Sequence, residues 1–253
     1  MARPLDLKGF RCTRHFEALA HRRGYRCVAG CDEAGRGSLL GPLYAAAVIL
    51  DPAKPIRGVD DSKKLKPEVR TELAEEIRVK AIAFQVIAIP AQDVDALNVY
   101  QASRCAMIQA LCSLVPPPDF VLTDAMPLTV PSAAMELIFG PKASARLDPD
   151  AGLKPGATGR IVPFPIPHRA IVHGDARSAS IAAASILAKV ERDARLVQLD
   201  RLYPQYLLAK NKGYGTPEHL AALAKHGPCP EHRQSFQPVK DYLLPLFPFA
   251  GAP

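Results

Sequence analysis

The chain has no cysteine pair spaced for zinc, no apolar run long enough to cross a bilayer, no internal repeat, and no hydrophobic leader with a cleavage site. Its six cysteines, Cys12, Cys27, Cys31, Cys105, Cys112 and Cys229, include no CxxC unit and no matching histidine spacing. Cys27 and Cys31 come closest to a ligand pair, and nothing near them completes a set of four. Reduced thiols in a cytoplasmic protein are the expectation. The N-terminal MARPLDLKGF lacks the apolar core of a secretory signal. The apolar stretch Leu43 to Leu50 falls well short of the ~20 residues of a membrane span. Structural zinc, export and membrane insertion are all disfavoured.

What the chain does have is bulk and positive charge. Its 253 residues fit one large domain or two small ones, and 48% hydrophobic residues are ample for a buried core. Lys and Arg number 32 against 25 Asp and Glu, a formal charge of +7, with a pI near 9.1. Such an excess favours a polyanionic partner, although basic proteins that bind nothing anionic also exist.

Residues 1–26 read as a basic N-terminal extension in which RHFEALAHRRGYR can form a short helix. From Val28 the pattern is strand, turn, strand (VAGCDE, then LYAAAVIL), with the Ala and Val content of strands covered on both faces. Pro67 suits the first turn of a helix in which Leu73, Ile77 and Ala81 recur at helical spacing. AIAFQVIAI reads as a strand, DVDALNVYQASRCAMIQALCSLV as one long amphipathic helix, and DFVLTDAMPL as a short buried strand ending at Asp124. The span 127–169 is rich in Pro and Gly and reads as a surface insertion with room for a small hairpin. A strand then ends near His173, a long helix runs from about Ser178 to Leu202, PEHLAALAKHG is helical, and residues 239–253 form a tail. This order points to an α/β fold, a mixed sheet flanked by helices.

Four acids fall at strand ends or helix starts: Asp32, Glu33, Asp124 and Asp175. Asp32 and Glu33 close an apolar strand just before the glycine-rich Gly35-Arg36-Gly37 turn. In an extended chain neighbours point to opposite faces, so one of the pair has to swing in from the turn. Hydrolysing a phosphodiester requires an activated water and relief of charge on the transition state. Paired Mg²⁺ or Mn²⁺ ions roughly 4 Å apart, held by carboxylates, supply both. A solvated charge or a helix cap explains any one acid alone, Asp175 in particular. Asp32 and Asp124 stand apart because each follows a strongly apolar strand.

The segments VAGCDEAGRGSLLGPLYAAAVIL, GVDDSKKLKP, DALNVYQASRCAM, VLTDAMP, HGDARSASIAAASILAKVERD and NKGYGTPEHLAALAKHGPCPEHRQSF occur in the order and character of the motifs of ribonuclease HII, the type 2 ribonuclease H. The resemblance covers most of residues 28–238. It implies a ribonuclease H-like catalytic domain over 27–238 with a C-terminal helical part. It also implies a metal-dependent endonuclease that cuts the RNA strand of RNA-DNA hybrids and cuts 5' of single ribonucleotides embedded in duplex DNA, leaving a 3'-hydroxyl and a 5'-phosphate. Asp32, Glu33, Asp124 and Asp175 become the catalytic, metal-binding carboxylates of a two-metal site. Asp32 and Asp124 are then expected to bridge or flank both ions, with Glu33 and Asp175 completing one each.

The same resemblance makes Gly35, Arg36 and Gly37 the reader of the 2'-hydroxyl, the group that separates RNA from DNA. Tyr214 becomes a stacking partner for the following deoxyribose, and Ser62 and Lys63 become phosphate contacts. A plain glycine turn, a tyrosine packed on its own loop and a solvated lysine run are the competing explanations. Lys189 and Arg192, on the long helix with Ser185, fit packing as well as substrate contact, and His226 and His232 are left outside the catalytic set. A monomer working in the cytoplasm without a membrane is expected.

Two departures from the family pattern stand out: Ser38 where proline is common, and the long interval between Asp124 and Asp175. Another nuclease of the same superfold is disfavoured by the GRG turn and Tyr214. A leader this short does not provide the extra domain of ribonuclease HIII. A protein that binds nucleic acid without cutting it is disfavoured by the presence of all four acids.

Overall fold

The computed structural model describes residues 12–131 and 161–243. Most of the 127–169 insertion, the start of the leader and the end of the tail lie outside the described residues. After a first helix, α1 (His15–Arg22), strands β1 (Val28–Ala34) and β2 (Leu43–Ile49) pair antiparallel. Helix α2 (Pro67–Lys80) leads to β3 (Ala83–Ile89), antiparallel to β2 on its other side. Helices α3 (Ala91–Leu97) and α4 (Val99–Cys112) precede β4 (Phe120–Asp124), which lies parallel to β1. Two short strands, β5 (Thr129–Pro131) and β6 (Ile161–Pro163), pair antiparallel at the base of the inserted span. Then β7 (His168–Ile171) joins β4 in parallel. The sheet order is β3-β2-β1-β4-β7, so one half is an antiparallel meander and the other a parallel trio. The sheet begins again at His168, so the last two residues of the 127–169 span belong to the core architecture.

Both faces of the sheet are covered, as the Ala- and Val-rich strands predict. Helix α4 covers one face with Met107, Ile108 and Leu111 packed against Ala29, Cys31, Ala45 and Ala47. The other face meets α5 (Ala179–Leu202), whose Ala182, Ala183, Ile186 and Leu187 pack with Ala46, Val48 and α2 residues Leu73 and Ile77. Gly30 sets how near α5 comes: a Cβ there would fall 2.1 Å from the backbone carbon of Ser180. The strand can present Asp32 to the helix only because position 30 carries no side chain.

Two elements differ from the sequence expectation. The single helix predicted across Asp93 to Val115 is two helices, broken at Asn98 (φ 64), whose side-chain oxygen accepts from the Tyr100 and Gln101 amides at 3.1 Å each. Asparagine tolerates the left-handed conformation and caps the next helix, so it turns the chain where apolar periodicity reads as continuous. The leader is also more than an appendage. Thr13 bridges to Ser178, and α1 buries Glu17 and Ala20 against the start of α5.

The C-terminal part contains α6 (Leu208–Asn211) and α7 (Pro217–His226). It folds back over the segment after the GRG turn, with Leu39 N donating to Gly213 O, Gly41 N to Glu231 O and Arg233 N to Leu39 O at 2.8 Å each. Among the described residues no helix is long and apolar enough to cross a membrane.

Candidate functional site

The three parallel strands end side by side, and each end delivers an acid. Cys31 pairs with Thr123 and Asp124 with Ile171, so Asp32 and Asp124 follow adjacent registered positions. Beyond β7 a single 3₁₀ turn over Gly174–Ala176 carries Asp175 inward. Gly174 N donates to Asp124 Oδ1 at 2.7 Å and ties that turn to β4. One carboxylate oxygen from each of Asp32, Asp124 and Asp175 lies within 4.8 Å of the others. The carboxyl ends of parallel strands are where open α/β sheets place their ligands.

Glu33 lies within β1 and not on the turn, and it stands outside that tight trio. Its Oε1 pairs with Arg36 Nη1 at 3.3 Å. Its Oε2 is buried and has no hydrogen-bond partner among the described residues. The charge of Asp124 still reaches it.

The electrostatics are those of crowded anions. Burial raises Asp32 well above the usual carboxylate range, and the charges of Glu33, Asp124 and Asp175 push the same way against a hydrogen bond from Ser185. Burial also raises Glu33 and Asp175, each further raised by Asp124. Lys63 Nζ lies 3.5 Å from Asp175 Oδ2. Burial lowers its pKa, but the charges of Asp175, Asp61 and Asp32 prevail and raise it. A set of oxygen-only donors, Asp32 and Asp175 buried and Asp124 half-buried, with excess negative charge fits hard divalent cations of the Mg²⁺ or Mn²⁺ kind.

Ser62 and Lys63 part ways. The Lys63 side chain is 79% exposed and meets Asp175 from the outside. Ser62 is buried, its hydroxyl 2.9 Å from that of Ser185 beneath Asp32. The Ser62 side chain therefore supports the acids from inside.

The GRG turn rests on two fully buried arginines. Gly35 adopts φ 92, and a Cβ on it would fall 2.1 Å from Arg192 Nε, so both conformation and space demand glycine. Arg192 Nη2 donates to Lys212 O at 2.7 Å, and its guanidinium carbon lies 5.2 Å from the centre of the Tyr214 ring. Arg233 Nη1 donates to Arg36 O at 2.9 Å and its Nε to Gly41 O at 3.1 Å. Tyr214 is 39% exposed, and a Cβ at Gly37 would come within 4.0 Å of its ring. The turn and the ring are neighbours on one surface although they are far apart in sequence. Ser38 is buried and donates to Leu40 O at 2.7 Å, which secures the turn without proline.

Ser185, Arg192 and Arg233 thus support the site from within. The sequence signal for them was their place in the SILAKVERD and HRQSF segments, which says nothing about which atoms they hold. Arg192 is fully buried, and Lys189 is engaged with Asp193 at 2.7 Å. His226 ends α7, and His232 is buried.

A family profile described as Ribonuclease HII matches residues 29–150 and 157–239. Ribonuclease HII of Solibacter usitatus is 43% identical over 99% of this chain and 99% of its own length. That of Geobacillus kaustophilus is 42% identical over 90% of this chain and 75% of its own. Among solved structures, the ribonuclease H2 of Pyrococcus horikoshii superposes with a TM-score of 0.63 at 25% identity, covering 86% of this chain and 97% of that one.

Proposed function

Because the chain belongs to the ribonuclease HII family, we propose that it nicks duplex DNA on the 5' side of a single embedded ribonucleotide and leaves a 3'-hydroxyl and a 5'-phosphate. The coarser activity follows from membership: a type 2 ribonuclease H is a metal-dependent endonuclease acting on RNA-DNA hybrids. The observation that carries the finer reading is that the Tyr214 ring lies beside Gly37 of the GRG turn, whose Arg36 pairs with Glu33, the residue next to Asp32 of the acidic trio.

In this reading Asp32, Asp124 and Asp175, with Glu33 alongside, hold Mg²⁺ or Mn²⁺. When bound, the cations relieve charge on the phosphodiester and acidify the attacking water. The bare backbone of Gly35 and Gly37 meets the 2'-hydroxyl, with the Arg36 carbonyl held by Arg233. Tyr214 stacks on the sugar that follows, so the junction from RNA to DNA is read by two parts of the chain. Lys63 meets a phosphate while steadying Asp175. The work is removal of ribonucleotides from DNA during replication and repair, by a monomer in the cytoplasm.

The test is cleavage of an end-labelled DNA duplex carrying one ribonucleotide, with Mg²⁺, Mn²⁺ or EDTA. A metal-dependent nick 5' of the ribonucleotide is expected. Asp124→Asn should reduce it by more than about a hundredfold, beyond what loss of a supporting partner costs. Cutting only within longer hybrids would overturn the single-ribonucleotide reading.

A further inference from the structure

Tyr214 sits in a tight loop: Lys212 (φ 53) and Gly213 (φ 74), just before it, are both left-handed. Its carbonyl oxygen accepts twice, from Thr216 N at 2.8 Å and from His219 Nδ1 at 3.0 Å. His219 lies on α7 and is fully buried. Its Nε2 lies 3.2 Å from Nε2 of His232, which is also buried. The Cys229 amide donates to His232 Nδ1 at 2.9 Å.

These partners allow one arrangement of protons. A carbonyl only accepts, so His219 Nδ1 carries its proton. A backbone amide only donates, so His232 Nδ1 is a lone pair, its proton is on Nε2, and that proton is given to His219 Nε2. The line of donation runs from Cys229 through both rings to Tyr214. It is anchored where His232 bridges Leu40, three residues beyond Gly37. Tyr206 packs its ring on both imidazoles, at 4.8 Å and 5.8 Å, and donates from its hydroxyl to Gly227 O at 2.6 Å. Burial lowers His219, and burial followed by the neighbouring ring brings His232 down to about 4, so both rings are neutral near pH 7.

We propose that His219 and His232 are positioning residues for Tyr214, a buried two-histidine relay that sets the ring's place beside the GRG turn. This rests on the reading of Tyr214 as a substrate contact. The relay spans the gap between the segment leaving the turn and the loop that carries the tyrosine. Its loss lets the ring move relative to Gly37 while the acids stay where they are.

The test is steady-state cleavage of the single-ribonucleotide duplex by four variants: Tyr214→Ala, His219→Leu, the double mutant, and His219→Asn, whose amide nitrogen can replace Nδ1 as donor to Tyr214. Thermal melts confirm that each is folded. Expected is a rise in KM of about tenfold for Tyr214→Ala and a similar or smaller rise for His219→Leu, the scale of one lost stacking contact. His219→Leu should add nothing in the Tyr214→Ala background, and His219→Asn should recover most of the loss. If His219→Leu does not fold, His219→Asn against His219→Gln decides: Gln preserves only the Nε2 position, so Asn must be closer to wild type. Equal or independent effects of the histidine with and without the tyrosine would overturn the relay alone. An unchanged KM in Tyr214→Ala would overturn the reading of Tyr214 as a substrate contact, and the relay with it.

Discussion

Asp32 is 5% exposed among like charges, so ionising it costs the metal-free protein. Its pKa is raised on folding, so between its unfolded value near 3.8 and its folded value the native state binds more protons than the unfolded one. Stability of the metal-free protein therefore rises as pH falls through that window and drops as pH rises through the folded pKa. In EDTA at pH 8, Asp32→Asn should raise Tm by about 3 °C, the shift that about 1 kcal/mol gives in a chain of this size. It should also flatten the dependence on pH. Added Mg²⁺ should stabilise the wild type more than the mutant. A Tm at pH 8 unchanged by the substitution would mean the carboxylates do not repel one another. The acids themselves were legible from their places after apolar strands, but the offset between Glu33 and the trio was not. The strand runs on to Ala34, one residue past Glu33.

At the scale of elements, α1 and α5 depend on each other. Glu17 Oε1 accepts from Ser178 Oγ and Ser180 Oγ at 2.6 Å each and from Ser180 N at 2.9 Å. A carboxylate at the first turn of a 24-residue helix satisfies free amides and complements the helix dipole. Glu17→Ala should cost about 2 kcal/mol in urea unfolding, the range of a hydrogen bond to a charged group. Glu17→Gln should cost less, and a loss below about 0.5 kcal/mol would show that the cap contributes little. The leader read as a polar extension because one inward-facing glutamate in a basic helix leaves no periodic mark. The break at Asn98 leaves no mark for a similar reason: its neighbours keep helical spacing on both sides, and the break lies in one residue's φ.

For the whole molecule the net charge of +7 sets how it meets a duplex. Affinity should fall linearly in log-log form with salt, about 0.9 units per phosphate neutralised, and Lys63→Ala should reduce the slope by about 1. A slope that Lys63→Ala leaves unchanged would remove that residue from the phosphate contacts. The strands of the sheet, most helices and the three acids that come together could be read along the chain because each depends on nearby residues: apolar runs, turn formers and the acids that end them. The DEAGRG, DSKKL and GYGT motifs added the family. Neighbours in space could not be read this way. That Arg192 underlies both Gly35 and Tyr214, that Ser62 turns inward to Ser185, and that two histidines join Leu40 to the tyrosine loop all follow from close packing between segments distant in sequence. Such contacts are set by the shape left between packed elements, where a single Cβ at Gly30 or Gly35 has no room.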